Sequence, residues 1–320
     1  MQQCPVTTPV GTSATGAAST FTYSSLAAPT NVSATAGSAH EADLSWNGSP
    51  GATGYNVFRS TNGVSFTQVA TGVTGTGYAD TQYLRLPSSG TVSTPSSGAL
   101  AITGDIDIRV KVSLDNWTPS DYAYLAARDS YSSAHAYAFY LNPGGDPLFL
   151  WSPDGTNANL QITGSTTVPS FANGSTQWLR VTRSASSGVV TYYTSSDGVS
   201  WSQLGSQVSG PTGSMYAGTQ PLSLGSYGPG ALHFLTGDFY YAEVRSGING
   251  TVVASPDFTA ASGSSFSDAE GNPWSTGGSA SLQGGPALSS GTTYYYKVQA
   301  VDAGGASGYS NMASTTTPTG

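Results

Sequence analysis

The sequence is poor in charge and almost without cysteine. Only 8% of its 320 residues are charged, and nine Lys and Arg residues face 17 Asp and Glu residues, which gives a formal net charge of -8. A chain with so few cations has no basic stripe with which to neutralise phosphates, so nucleic acid and anionic membranes are disfavoured as partners. Cys4 has no second cysteine to pair with, which excludes an internal disulfide framework.

Long apolar runs and helical periodicity are missing as well. The first residues, MQQCPVTTPVGTSATG, contain neither the basic nor the apolar region of a signal peptide, and no later stretch reaches membrane-spanning length. We therefore expect no membrane partner. Residues 1–26 are rich in Ser, Thr, Ala and Gly, which predicts an extended N-terminal arm, and residues 318–320 form a short tail.

What the chain does contain is aromatic residues alternating with turn formers. It has 41 Gly and 18 Pro, and 11% of its residues are aromatic. From Pro29 onward, short runs with period-two alternation are separated by turn residues, and NVSATAG, HEADLSW, GYNVFRS and SFTQVATG are predicted strands. Trp46 and Tyr55 are the expected core residues. These features predict an all-β chain built from packed sheets.

This pattern breaks off after Thr81 and resumes near Ser290. When residues 82–285 are left out, GYADT is followed by PALSSGTTYYYKVQAVDAGGASGYSNMASTTTP. The joined text resembles the second half of a fibronectin type III domain, which is an immunoglobulin-like sandwich. The residues that carry the resemblance most specifically are Leu288, Gly291, Thr292 and Tyr294. The resemblance implies one split domain over residues 27–81 and 286–317, interrupted at its E–F turn.

The resemblance also implies structural roles. In fibronectin type III domains a tyrosine before strand F bonds through its hydroxyl to the backbone of the preceding corner, and Tyr294 matches that position. Tyr294 and Tyr296 are then expected to face the core while Lys297 faces water. Because closing a long loop costs free energy, the insert is expected to bring its ends together, with residues 83–86 and 279–283 paired as antiparallel strands.

Residues 82–285 predict a second sandwich. The alternation in IDIRVKVSL predicts a strand with a buried face, and Asp105, Asp107, Arg109 and Lys111 are interpreted as a solvated outer surface. Strand-like runs follow at DYAYLAAR, AYAFYLN, PLFLWS, TQWLRVT, GVVTYYTS, VSWSQLG, PLSLGS and FYYAEVRSG. Their order resembles that of concanavalin A-like or laminin-G-like jelly rolls. WSPDGT, TSSDGVSW and GTVVASPDF resemble lamin-G-like domains in minor tail proteins of phages that infect actinobacteria.

Two sequence segments, one in the flanking domain and one in the insert, share the pattern S-x-D/N-G-x-x-aromatic. They lie at residues 60–66 and 195–201 and resemble the Asp-box of sialidase-type proteins. Asp or Asn followed by Gly accepts positive φ in a tight turn. We therefore predict that both strings are turns, with Phe66 and Trp201 packed on a sheet.

The sequence offers little material for catalysis. Retaining glycosidases need two carboxylates about 5 Å apart, and jelly-roll members of that class carry paired Glu residues on one strand, whereas Glu41, Glu243 and Glu270 are far apart in sequence. No G-x-S-x-G elbow is present. We predict that the protein is not an enzyme, with a glycoside hydrolase as the least favoured alternative.

Candidate binding residues come from residue type and context. By the laminin-G resemblance, a rim calcium would use Asp146, Asp154 and Asp238, with turn formation as the alternative role of each, and no other cofactor is expected. Aromatic rings in Gly-, Ser- and Pro-rich segments are candidates for stacking on a sugar, with loop packing as the alternative. These aromatic residues are Trp117, Tyr131, Tyr216, Tyr227 and Trp274.

These observations leave two main functions open. The first is a phage virion protein, in a minor tail or capsid-decoration position at the virion surface, that packs with other virion proteins in a symmetric homo-oligomer or array and contacts host-surface glycan. A purely architectural role is a variant of it. The second is a secreted, extracellular bacterial module that holds an enzyme on polysaccharide.

Overall fold

The computed structural model describes residues 26–130, 134–228 and 232–319. The predictions made for Cys4, for Tyr131 and, apart from Leu26, for the N-terminal arm lie outside the described residues.

The regular secondary structure of the described chain is almost entirely β-strand, because its short alternating runs are separated by Gly, Asn, Asp and Pro at nearly every turn. A single 3-10 turn, Asn157–Asn159, accompanies them in the described ranges. The strands are β1 (Thr30–Ser38), β2 (Glu41–Asn47), β3 (Gly54–Ser60), β4 (Thr67–Val73), β5 (Gly77–Leu86), β6 (Thr91–Thr94), β7 (Ile106–Leu114), β8 (Ala123–Arg128), β9 (Tyr137–Leu141), β10 (Pro147–Trp151), β11 (Gln161–Gly164), β12 (Thr176–Arg183), β13 (Val189–Ser195), β14 (Ser202–Gln203), β15 (Val208–Ser209), β16 (Leu222–Leu224), β17 (Gly237–Ser246), β18 (Thr251–Ala254), β19 (Ser265–Ser267), β20 (Pro273–Gly277), β21 (Ser281–Gly284), β22 (Thr293–Asp302), β23 (Gly305–Ala306) and β24 (Ala313–Thr316).

These strands form three antiparallel sheets. The largest has eleven strands in the order β1-β2-β5-β17-β7-β12-β13-β14, with β15 on β13, β18 on β17 and β21 on β5. The second has eight strands in the order β11-β10-β9-β8-β16-β6-β20-β19, and the third has the order β23-β22-β3-β4 with β24 on β22. The prediction of an all-β fold of packed antiparallel sheets is confirmed.

Two large hydrophobic cores lie between the sheets. The first core runs from Leu84 to Trp274 and joins the eight-stranded sheet to β7, β12, β13 and β17 of the eleven-stranded sheet. The second core combines residues 32–57 with residues 288–300, which are far apart in sequence. Strand β5 passes from one to the other, since residues 77–81 pair with β2 while residues 84–86 pair with β17.

The two sequence halves of the second core are adjacent in space. Strand β22 pairs with β3 on one side and with β24 on the other. The hydrogen bond expected at the corner is present, because the Tyr294 hydroxyl accepts a bond of 2.9 Å from the backbone N–H of Ser289. The four expected core residues are all buried: Trp46, Tyr55, Tyr294 and Tyr296.

The point where the chain leaves and re-enters the second core is also paired. Strand β21 lies antiparallel to β5, with Gly284 opposite Gln82 and Ser281 opposite Arg85. The predicted pairing of these two segments is confirmed, with β21 beginning two residues later than expected. Paired ends remove most of the loop-closure cost of a long insertion.

Strand β7 follows its predicted alternation on one face only. Ile106, Ile108 and Val110 are fully buried in the first core, as expected. Asp107 departs from the expected solvated face because its side chain is also fully buried. Arg109 and Arg180 donate to its carboxylate at 2.9 and 2.8 Å. Opposite charges at hydrogen-bonding distance make that burial tolerable.

The two S-x-D/N-G strings have the same turn geometry. In the first, the Asn62 side chain accepts bonds from the N–H groups of Val64 and Ser65. In the second, Asp197 accepts the corresponding bonds from Val199 and Ser200. Gly63 and Gly198 adopt φ values of 72° and 74°. The prediction that these strings are turns is confirmed.

Candidate functional site

Two of the predicted sugar-stacking residues are core residues. Trp117 is 1% exposed and packs against Phe171 with 4.8 Å between ring centroids. Trp274 is fully buried, and its indole N–H donates to Asp268 at 3.0 Å. The prediction that these rings stack on a ligand is wrong. The segments around these two residues are polar, but an indole has a large apolar area, so its burial in the core is strongly favourable.

The other two described aromatic candidates have different surroundings. Tyr216 packs closely against Gly155, where an added methyl group would lie 2.7 Å from its ring, so this ring fills a loop. Tyr227 is 6% exposed, yet its ring forms part of a cleft wall described below. Of the four predicted aromatic residues within the described ranges, Tyr227 is therefore the one that lines this cleft.

The three calcium candidates lie in separate places. Asp146 closes a turn with Asn142, and Asp238 forms an ion pair of 3.2 Å with Arg85. Asp154 accepts bonds from the backbone and hydroxyl of Thr156, which hold the pKa of its carboxyl well below the usual range. Within the described ranges no three His, Cys, Asp or Glu side chains cluster in a way that could hold a metal ion.

A concave site lies on the outer face of the eight-stranded sheet. Strands β8, β9 and β10 are buried on both faces. Leu125, Phe139 and Phe149 belong to the first core, whereas Tyr124, Tyr140 and Leu150 form a separate cluster on the opposite face. A cleft of about 380 Å³ opens over this cluster, and we call it the aromatic cleft. Its described lining residues are Tyr122, Tyr124, His135, Tyr140, Leu150, Asn157, Leu160, Ile162, Tyr227 and His233.

The rings of the aromatic cleft support one another. Tyr124 and Tyr140 stack with 4.7 Å between centroids and 13° between planes, and Tyr227 meets Tyr124 edge-on at 4.8 Å. At the rim, Tyr122 contacts His233 edge-on at 5.3 Å and is 39% exposed. Such contacts fix the rings without a ligand, so little conformational entropy remains to be lost on binding.

A buried polar group lies beneath the rings. His135 is 2% exposed, and its two ring nitrogens lie 2.6 Å from the carboxylate of Asp129 and 2.6 Å from the side-chain oxygen of Asn157. The Tyr227 hydroxyl lies 3.2 Å from Nδ1 of His135. Burial raises the pKa of Asp129 to about 6, although His135 acts in the opposite direction.

The described lining of the cleft contains few nucleophilic side chains. None of its described lining residues is Ser, Thr or Cys, and the hydroxyl beside His135 is the phenol of Tyr227, 3.2 Å from Nδ1. None is Lys or Arg either. Flat apolar rings combined with neutral polar groups suit an uncharged ligand that presents both C–H faces and hydroxyl groups.

The sequence contains a signal for this site that loop-based reasoning misses. DYAYLAAR and AYAFYLN carry apolar or aromatic residues at consecutive positions rather than at every second one. In an antiparallel sheet this pattern indicates that both faces are covered. The second covered face, with Tyr124 and Tyr140, is where the aromatic cleft lies.

Comparisons with known proteins give partial similarities. No model of a known protein family matches the chain. A segment of 54 residues, 17% of the chain, is 50% identical to an amylopullulanase of Thermoanaerobacterium saccharolyticum, of which it spans only 4%. No described helix is both long and apolar enough to cross a membrane.

Solved structures resemble parts of the fold at low identity. A Bacteroides ovatus protein to which carbohydrate binding is ascribed has a TM-score of 0.42 at 9% identity, over 78% of this chain and 70% of that one. Tailspike protein 2 of bacteriophage CBA120, in its enzymatically active domain, has a TM-score of 0.38 at 10% identity, over 55% and 30%. A heptameric pentraxin of Limulus polyphemus has 0.35 at 9%, over 52% and 77%. These scores are too low to establish a shared topology.

Proposed function

We propose that this chain is a non-enzymatic phage virion protein, in a minor tail or capsid-decoration position, and that its aromatic cleft binds a glycan of the host surface. The proposal that the protein binds a glycan rests on the cleft itself. It is a preformed cavity of about 380 Å³ walled by Tyr122, Tyr124, Tyr140 and Tyr227. Cavities of this size with apolar walls and a few convergent polar groups are the usual form of small-ligand sites.

The chemistry of the cleft matches a sugar ring. The C–H face of a pyranose packs on a tyrosine ring, and Tyr122, which is 39% exposed, is the cleft tyrosine that can take this contact, while the hydroxyl groups of the sugar need donors and acceptors. Asn157 and His233 line the cleft and supply such groups, and Ile162, which is 53% exposed, adds apolar surface at the rim. Each contact is weak, but many copies on one particle raise avidity by roughly 10² to 10⁴.

The domain arrangement that we propose has two sandwiches. A fibronectin type III-like domain comprises residues 27–81 and 286–317, and a laminin-G-like or concanavalin A-like jelly roll comprises residues 82–285. The separation of the two hydrophobic cores and the pairing of Gln82 with Gly284 support this division. The jelly roll would present the cleft, while the split domain would face other virion proteins.

Hydrolysis of the glycan is not part of the proposal. All three glutamates have other roles: Glu41 pairs with Lys111 at 2.6 Å, Glu243 lies 3.5 Å from Arg109, and Glu270 accepts a hydrogen bond from Ser255. None of the three lines the aromatic cleft. A pair of carboxylates at the spacing that glycosidases need is therefore not available from glutamates.

The binding proposal is tested by filling the cleft. Ile162→Arg places a long side chain at the rim on an exposed position, so the fold should persist. Val168→Arg is the matched control, since Val168 is 42% exposed and does not line the cleft. On a glycan array, we expect wild type and Val168→Arg to bind the same glycans and Ile162→Arg to lose at least ten-fold in signal. Binding that Ile162→Arg leaves intact would refute the site.

A secreted carbohydrate-binding accessory module is the second candidate. The 54-residue likeness to an amylopullulanase favours it. Both candidates use the same cleft and differ in where the protein resides. Cryo-electron microscopy of the particle separates them: density at the tail or on the capsid supports the virion protein, and recovery of the chain only from culture fluid supports the secreted module.

A further inference from the structure

We propose that the aromatic cleft is one of two adjoining subsites and that the ligand is an uncharged oligosaccharide of at least two sugar units. This inference rests on the proposed function and adds the length and charge of the glycan. It starts from a second depression of about 360 Å³, which lies beside the cleft between the loop after β7 and the segment before β17.

Tyr122 forms the boundary between the two depressions, since it lines both of them. Its ring contacts Tyr140, inside the cleft, edge-on at 5.8 Å, and it stands 39% exposed. A partly exposed ring between two cavities can pack against two consecutive sugar units at once. A ligand of one unit would use only one of its sides.

The position of this boundary is fixed by hydrogen bonds. Nδ1 of His233 lies 3.0 Å from each carboxylate oxygen of Asp121, and the backbone N–H of Tyr122 donates to the same carboxylate at 2.7 Å. The rings of His233 and Tyr122 also meet edge-on, with 5.3 Å between their centroids. The boundary formed by Tyr122 is therefore ordered before any ligand binds, which lowers the entropic cost of binding a longer sugar chain.

The second depression differs from the aromatic cleft in its chemistry. Asp115, Asn116, Ser120 and Asp121 line it with oxygen atoms, and Phe234 adds one ring. Carboxylate and amide oxygens accept bonds from sugar hydroxyls, and bonds to charged acceptors are the stronger kind. Asp121 is 65% exposed at its side chain, so its remaining lone pairs can reach a ligand.

Charge determines which sugars fit. No described residue that lines either depression is Lys or Arg. Arg85, the nearby cation, is already neutralised by Asp115 at 2.7 Å and Asp238 at 3.2 Å. Arg85 is thus outnumbered by three carboxylates, those of Asp115, Asp238 and the nearby Asp121, and a uronic acid or another anionic sugar would add to this excess of negative charge, which costs free energy. The site thus favours neutral sugars.

The test compares ligand lengths on one array. It carries glucose, galactose, mannose, rhamnose and N-acetylglucosamine as mono-, di- and trisaccharides, together with trisaccharides that contain a uronic acid. For the full-length wild type, we expect trisaccharides of one neutral sugar to bind at least ten-fold more tightly than the monosaccharide, and the acidic trisaccharides to bind more weakly than their neutral counterparts.

Two variants locate the second subsite. Asp121→Asn keeps an oxygen acceptor but removes its charge, so it should lower trisaccharide affinity about 5- to 10-fold, less than the roughly 10- to 150-fold of a lost hydrogen bond to a charged group, and lower monosaccharide affinity much less. Tyr122→Ala should reduce trisaccharide affinity toward that of the monosaccharide. Asp43→Asn, an exposed carboxylate on β2, is the control that should change neither.

The outcomes separate this inference from the function on which it depends. Equal affinity for mono- and trisaccharides, an equal loss of both in Asp121→Asn, or preferred binding of acidic sugars overturns the inference and leaves glycan binding in place. Binding of no glycan at all overturns the proposed function itself, and the inference falls with it.

Discussion

The hydroxyl of Tyr296 donates a hydrogen bond of 2.8 Å to the carboxylate of Asp80, although 216 residues separate them in sequence. Asp80 is fully buried and also pairs with Arg59 at 3.0 Å. Burial raises the pKa of the Asp80 carboxyl, while Arg59 and Tyr296 act against that rise. This buried polar group joins the end of the first sequence half of the second core to the start of the other half.

Tyr296→Phe should therefore lower the free energy of unfolding by about 1.5–3 kcal/mol, the value of a hydrogen bond to a charged group. Tyr295→Phe is the control, since its side chain points to the opposite face of β22 and is only partly buried; it should change stability by less than about 0.5 kcal/mol. Urea denaturation measures both. Equal effects of the two changes would show that the bond to Asp80 adds nothing.

The proposed division into two sandwiches predicts that each folds alone. Residues 26–81 joined to residues 286–319 by a short Gly/Ser linker should fold, because Gln82 and Gly284 are already paired neighbours. Residues 82–285 should fold as a second unit with its own core. Cooperative thermal unfolding and dispersed amide spectra are the readouts. A linked chain without cooperative unfolding would contradict the division.

The two matching turns provide a paired glycine test. Gly63 and Gly198 have the same positive φ, but a methyl group on Gly63 would lie 3.6 Å from Tyr295, whereas one on Gly198 would lie 2.6 Å from Trp178. Gly63→Ala should cost about 1–2 kcal/mol of unfolding free energy through backbone strain. Gly198→Ala should cost a further 1–3 kcal/mol through the clash. Equal losses by urea denaturation would mean that Trp178 moves aside freely.

The indole of Trp274 is predicted to matter for stability rather than for binding. Trp274→Ala should destabilise the protein by about 3–5 kcal/mol, as truncation of a buried aromatic residue does. Tyr309→Ala removes a ring that is 50% exposed and should cost much less. Chemical denaturation compares them. A stable Trp274→Ala protein that had lost glycan binding would reverse this assignment.

The buried carboxyl of Asp129 predicts a pH dependence of stability. Its pKa is raised from 3.8 to about 6 because the side chain is buried. The folded protein thus keeps a proton that the unfolded chain releases, so stability present below about pH 4 is lost as pH rises toward 6. At about 1.4 kcal/mol per pK unit, the loss is on the order of 3 kcal/mol.

Asp129→Asn removes that titration. The unfolding free energy of wild type minus that of Asp129→Asn should fall as pH rises from 4 to 7, and urea denaturation at several pH values measures it. Asp197→Asn, in an exposed turn, is the control whose difference from wild type should not fall over that range. A constant difference for Asp129→Asn would show that burial does not raise the pKa of this carboxyl.

Much of the fold was accessible from the sequence, and much less of the site. The strand periods follow from local patterns and turn chemistry, whereas the Tyr294 corner was implied by the fibronectin type III resemblance and the paired ends of residues 82–285 by the cost of closing a long loop. Local patterns do not predict whether a large aromatic ring is buried in the core or lines a cleft. Trp117 and Trp274 lie in polar segments yet enter the core, and Tyr124 and Tyr140 lie in strands yet form a cleft. Which face of a doubly covered strand stays open depends on loops that pack from elsewhere in the chain.

The second core has a mechanical consequence. Val32 near its start and Asn311 near its end exchange two hydrogen bonds, of 3.0 and 2.9 Å, so both described ends of the chain leave the same small body. Tension applied between residues 26 and 319 would load β1 and β24 first. The aromatic cleft, carried on residues 122–233, sits off that load path as a side branch. The shape of the cleft should therefore survive pulling forces that begin to unfold the second core.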